Sequence, residues 1–118
     1  MSGSLTINNS PVNAPALPAT TLASACYAAM FQNCTNLTSA PDLNAEVLES
    51  QSYWFMFVNC YSLNSIKCLA TDLSAFQCTY NWTNNVNAVG TFTCAQNMSS
   101  VWSTGSDGIP SGWTIQNN

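Results

Sequence analysis

Two kinds of hydrophobic pattern alternate along the chain. Leu22, Cys26 and Met30 recur at i, i+4 and i+8, with Ala25 and Ala29 close beside them. That is one face of an amphipathic helix, and it predicts helix over 22–31. The stretch 48–57 carries the same stripe and the same prediction. Ahead of it, Asn44 is a candidate N-cap, and Glu46 and Glu49 stand in the first turn, where a helix dipole favours acids. The intervening stretches 37–43, 63–69 and 89–95 are too short and too broken for helices. Pro41 also argues for extended chain, although it cannot donate to a ladder. Each is predicted as a short parallel strand.

The two patterns belong to one repeat. Set without gaps over residues 43–68, residues 17–42 are identical at 11 of 26 positions, far more than shared composition gives. Among the matches are Leu17/Leu43, Leu22/Leu48, Tyr27/Tyr53, Met30/Met56, Phe31/Phe57, Asn33/Asn59, Cys34/Cys60 and Leu37/Leu63. A worn third unit, 69–94, keeps Leu69, Cys78, Asn85 and Cys94, with Trp82 in place of the methionine and Val89 in place of the leucine. A period of this length falls in the leucine-rich-repeat range. The predicted fold is therefore an α/β solenoid, a leucine-rich-repeat-like right-handed coil of about 26 residues per turn. Short parallel strands form one face and short helices the other. Two columns should be buried: Leu17, Leu43 and Leu69, and Leu37, Leu63 and Val89.

Residues 1–16 read as a lead-in or partial coil, because Ala14-Pro15-Ala16-Leu17 echoes Ala40-Pro41-Asp42-Leu43. The solenoid proper is 17–95. Residues 96–118 break the period and read as a C-terminal cap over the last apolar face, with a hairpin at Asp107-Gly108.

Composition narrows the possible tasks. Six side chains of 118 are charged, one of them basic, for a net charge of −4. One lysine cannot supply the footprint that a phosphate backbone needs, so nucleic acid is excluded as a partner. The longest apolar run, Tyr53–Val58, is too short to span a bilayer, so membrane insertion is not expected. The chain has no histidine and no arginine. With them go imidazole acid–base chemistry, activation of a thiol by histidine, and guanidinium clamps on phosphate. No enzyme, cofactor or metal site is expected. Glu46 and Glu49 share a predicted helical face but read as first-turn acids, Asp72 as an N-cap and Asp107 as a turn residue.

The six cysteines fall in three columns of the repeat: Cys26, Ser52, Cys78; Cys34, Cys60, Val86; and Asp42, Cys68, Cys94. Neighbouring strands lie about 4.8 Å apart with parallel Cβ vectors, whereas a disulfide needs Cβ atoms aimed at each other. Replacement by Ser52 and Val86 is the behaviour of a small buried residue. Buried free thiols are expected, with Cys68–Cys94 the first exception to look for. Zinc would need CxxC or histidine spacing, and neither is present.

The segments Met30-Phe31-Gln32-Asn33-Cys34-Thr35-Asn36-Leu37 and Met56-Phe57-Val58-Asn59-Cys60-Tyr61-Ser62-Leu63 share an MFxxCxxL pattern. With Leu17-Pro18-Ala19-Thr20-Thr21-Leu22 and the ending Gly108–Thr114, the chain resembles the BspA-type leucine-rich-repeat surface proteins of gut bacteria. In such repeats the cysteine side chain serves the loop backbone. The resemblance implies a non-enzymatic adhesion or recognition module that binds a host protein or glycan through its repeat face. Similar modules in phage proteins imply an alternative, a head or tail fibre component of a virion. Met1–Leu5 has neither the basic nor the apolar part of a signal peptide. The expected location is a cell surface, as part of a longer secreted protein, or else a virion.

Two surfaces are candidates for contact. One is the outward side of the strands, Ser39, Ser65, Lys67, Thr91 and Thr93, small and nearly uncharged. The other is the patch Trp54 and Phe55, where the first unit has Ala28 and Ala29. Asn33 and Asn59 share a column and are expected to bond the loop backbone. A neighbouring subunit or further repeats are expected to cover the N-terminal coil near Leu17–Leu22 or the Trp54–Phe55 patch.

Overall fold

The backbone N–H groups of the segments predicted as helices divide between two destinations, and that division rules out a helix. A computed structural model describes residue 17 and residues 20–118. The lead-in or partial coil at 1–16 lies outside the described residues. From 25 to 34 the even-numbered residues close tight turns, as in Ala28 N–H to Ala25 O and Met30 N–H to Tyr27 O. The odd-numbered residues instead donate to the next repeat unit: Ala25 to Ser50 O, Tyr27 to Ser52 O, Ala29 to Trp54 O, Phe31 to Met56 O and Asn33 to Val58 O. The second unit does the same toward the third, from Gln51 to Phe76 O through Asn59 to Asn84 O. No α-helix occurs among the described residues. The expected helical face is a string of turns, each hydrogen-bonded to its counterpart in the neighbouring unit.

The turns need a left-handed residue at every fourth position. Positive φ occurs at Ala25, Ala29 and Asn33, at Gln51, Phe55 and Asn59, and at Gln77, Asn81 and Asn85. Each such residue costs about 1–2 kcal/mol for an ordinary L side chain and less for asparagine. The pattern it produces is two side chains in, two out. Cys26, Met30, Phe31 and Cys34 are buried, as are Ser52, Tyr53, Met56, Phe57 and Cys60. A period of 4.0 over three repeats is nearly the same as the 3.6 of a helix, which is why the stripe reads as one. With no helix present, Asn44 is not an N-cap and Glu46 and Glu49 have no helix dipole to serve. Asp72 is not an N-cap either. Its carboxylate accepts from the Ser74 N–H (3.0 Å) and hydroxyl (2.6 Å), an Asx turn. Those bonds hold its pKa below the usual carboxylate value.

On the other side the chain forms three short strands, β1 (Ser65–Cys68), β2 (Thr91–Cys94) and β3 (Thr114–Asn117). They make one parallel sheet in that order. Ser65 faces Thr91 and Cys68 faces Cys94, the register of the sequence repeat. The first unit contributes only single bridges, Ser39 to Ser65 and Leu43 to Cys68, because Pro41 lies between them without an N–H.

The tail does not form a hairpin at Asp107-Gly108. It lays β3 parallel to β2, with Thr91 opposite Thr114 and Cys94 opposite Asn117. The tail is therefore a short extra layer. Where it lacks residues, side chains make the bonds that backbone makes elsewhere. The Asn81 N–H, whose counterparts Ala29 and Phe55 donate to carbonyls, donates to the Asp107 carboxylate at 2.6 Å. Thr79 Oγ1 donates to Asp107 O at 2.8 Å and Trp82 Nε1 to Gly108 O at 3.0 Å. At Gly108 a Cβ would stand 2.1 Å from Ser103 O, so this turn admits only glycine.

The core is built of columns. Phe31 stacks on Phe57 at 5.7 Å and Tyr27 on Tyr53 at 6.2 Å. Trp82 is fully buried and stacks on Tyr53 and Trp102. Leu17, Leu43, Leu37 and Leu63 are buried, and Leu69 is half-buried. Val89 breaks its expected column and is 67% exposed. The chain bends there, the Asn87 side chain accepts the Val89 N–H, and Trp113 packs onto Gly90 instead. A Cβ at Gly90 would meet the Trp113 ring at 2.6 Å, and Trp113 Nε1 donates to Asn87 O. Among the described residues no helix is long and apolar enough to cross a membrane.

Candidate functional site

Alternation along the strands sends Ile66, Cys68, Phe92 and Cys94 inward and leaves the residues between them outward. Pairing then sets the outward residues in two rows. Ser39, Ser65, Thr91 and Thr114 form one, and Lys67, Thr93 and Gln116 the other. Ser39 and Ser65 are exposed, and Lys67, Thr91 and Thr93 are half-buried. All five residues expected on this face are thus brought together. Thr114 and Gln116 extend it and were missed, because β3 is out of step with the repeat. The face is hydroxyl-rich and, apart from Lys67, uncharged.

The turn side carries the other candidate. Trp54 and Phe55 are half-buried and stack on each other at 3.9 Å, nearly parallel. Phe55 also stacks on Tyr80 of the third unit at 5.9 Å, and Phe76, 67% exposed, lies four residues before Tyr80. The first unit has Ser24, Ala28 and Ala29 at these positions, so the aromatic ledge belongs to the second and third units. Sequence comparison of the units finds Trp54 and Phe55. Tyr80 and Phe76 were missed, although the same register places them beside that pair.

Side-chain amides run alongside the aromatic residues. Asn85 Nδ2 donates to Asn59 Oδ1, and Asn59 Nδ2 to Asn33 Oδ1, each at 2.9 Å. Gln51 Nε2 donates to Gln77 Oε1 at 3.0 Å. The asparagines thus bond one another along the stack. The left-handed conformation aims their side chains along the stack and asparagine tolerates it best.

All six cysteines are buried thiols. Burial pushes Cys60 and Cys68 up to about 12 and raises Cys34, Cys78 and Cys94. Nucleophilic thiols need the opposite shift. Cys60 Sγ donates to Phe31 O at 3.0 Å, tying one unit to the next. Cys68 and Cys94 are register neighbours in the sheet, and both remain thiols. Among the described residues no three histidine, cysteine, aspartate or glutamate side chains converge as metal ligands would. An open cleft of about 400 Å³ is lined by Thr20, Thr21, Leu22, Asn44, Val47 and the two acids Glu46 and Glu49.

Comparison of the chain with protein families, curated proteins and solved structures finds no match.

Proposed function

We propose that this chain is a non-enzymatic recognition module, a short leucine-rich-repeat-like solenoid of the BspA type that binds a host protein or glycan. The observation that carries the reading is the ledge of Trp54, Phe55, Tyr80 and Phe76, which leaves large aromatic surface in water on a chain with very few charges. Exposed aromatic side chains gathered on a weakly charged surface are the usual mark of a contact surface. The repeat class is supported by the MFxxCxxL positions. Met30, Phe31, Cys34 and Leu37, and their counterparts Met56, Phe57, Cys60 and Leu63, are all buried at equivalent places. The high pKa values of the thiols and the absence of histidine and arginine from the sequence argue against catalysis.

The test is an array of immobilised glycans and extracellular-matrix proteins, probed with the parent chain and with Tyr80→Ala, Phe76→Ser and Lys67→Ala. The reading expects a specific signal that falls about tenfold in the first two variants, as loss of an aromatic anchor does. Equal binding by all four, or none by the parent, overturns it. If Lys67→Ala alone loses the signal, the sheet face with Ser39, Ser65, Thr91 and Thr93 is the binding surface instead.

A second reading, a virion structural component, is favoured by the uncovered strand β3 at the sheet edge. Detection of the chain in purified particles by mass spectrometry separates it from display at a bacterial surface as part of a longer secreted protein.

A further inference from the structure

Strand β3 lies at the edge of the sheet, and all four of its residues are exposed. Its inner side is fully used. Thr114 N–H donates to Gly90 O and Asn118 N–H to Cys94 O, both at 2.8 Å. The parallel register between them gives Gln116 the same direction. Ile115 and Asn117 therefore turn both N–H and C=O away from the sheet. Edge strands are usually protected by lysine, proline, a bulge or a covering segment. Thr114-Ile115-Gln116-Asn117 has no charge and no proline.

A second observation lies on the core side of the same strand. Ile66, Phe92 and Ile115 form one column in register. Ile66 and Phe92 are 1% and 0% exposed, but Ile115 is 43% exposed. The column thus ends on an apolar side chain with one side in water.

We infer that β3 is a self-pairing edge that joins two copies of this chain antiparallel about a two-fold axis at Gln116. The hydrogen-bonding groups on the edge are self-complementary for that arrangement. In an antiparallel pair, alternate opposed residues exchange both of their N–H···O bonds. A two-fold axis at Gln116 sets Ile115 of one copy opposite Asn117 of the other, and Asn117 opposite Ile115. The four outward donors and four outward acceptors of the two copies then pair, with Gln116 facing Gln116 at the axis. No charge is brought near a like charge along the edge, and both Ile115 side chains are covered. Such an isologous contact closes at two copies. The inference is independent of which ligand the aromatic ledge takes.

A four-residue strand pair is a small interface, so the dimer should be weak, with a dissociation constant on the order of 0.1 mM. Sedimentation equilibrium from about 10 µM to 1 mM tests it, together with amide hydrogen exchange at both ends of that range. The parent should pass from monomer to dimer and stop there. The Ile115 and Asn117 amides should gain protection as the concentration rises. Ile115→Pro removes an outward N–H that the chain's own ladder does not use, so it should fold as the parent does and dissociate about tenfold or more easily. A parent that stays monomeric to 1 mM overturns the inference. So does an open-ended series of oligomers, which means head-to-tail stacking, or a dimer that Ile115→Pro leaves intact. If Ile115→Pro does not fold, the exchange data decide alone. Concentration-independent exchange at Ile115 and Asn117 overturns the inference.

Discussion

Ala29 shows how single residues carry this architecture. Its φ is +56°, it is half-buried, and its N–H donates to Trp54 O. In a helix, Ala29→Gly would cost about 1 kcal/mol. In a left-handed turn the same change relieves strain of about 1 kcal/mol, because glycine has no Cβ to clash. Ala29→Gly is therefore expected to raise the melting temperature, and a thermal melt decides between the two conformations. Ser52 offers a second test. It is completely buried between Cys26 and Cys78 in its column, and its hydroxyl has no hydrogen-bond partner among the described residues. Ser52→Cys restores the column with a less polar group and should stabilise by about 1 kcal/mol, read by urea denaturation.

The turn strings hold together as ladders, so their energetics belong to the element and not to one residue. Asn59 donates to Asn33, accepts from Asn85 and supplies a left-handed backbone. Asn59→Ala removes both amide bonds and adds backbone strain, for a loss of about 2 kcal/mol. Asn59→Gly keeps the backbone conformation and loses only the ladder, about 1 kcal/mol. Denaturant unfolding of the pair separates the two contributions. Equal losses would mean that the amide ladder contributes everything and the left-handed residue nothing.

For the whole molecule, stability depends on how each layer is closed onto the next. The short tail layer relies on the Asp107 carboxylate to accept the Asn81 N–H. Asp107→Ala removes this solvent-exposed, charge-assisted bond and should cost about 1 kcal/mol, with Asp107→Asn recovering part of it. The buried thiols impose a pH limit. Cys60 and Cys68 stay protonated in the fold until about pH 12. In the unfolded chain thiols ionise near pH 8.5. Their contribution is thus complete below about pH 8.5 and is lost as pH rises toward 12, because the unfolded state then binds fewer protons. Stability measured by circular dichroism should fall through this alkaline window, and less steeply in Cys68→Ala.

The sequence by itself determined the period and the inward positions. Pairs such as Phe31/Phe57 and Asn33/Asn59 recur at one spacing, and the chain's own hydrogen bonds and stacked rings follow that spacing. Repeats are legible because equivalent places in stacked layers select equivalent side chains. The residues of the candidate sheet face were legible for the same reason, since alternation along a strand sorts in from out. The conformation between the strands was decided only in the tertiary structure. A stripe at i, i+4 and i+8 serves a helix and a string of turns equally well. What chooses between them is whether an N–H finds its carbonyl four residues back or in the next layer, and no local pattern records that. The tail was decided there too. Parallel β3 exists because β2 offers it an edge, whereas the turn residues Asp107 and Gly108 read locally as a hairpin.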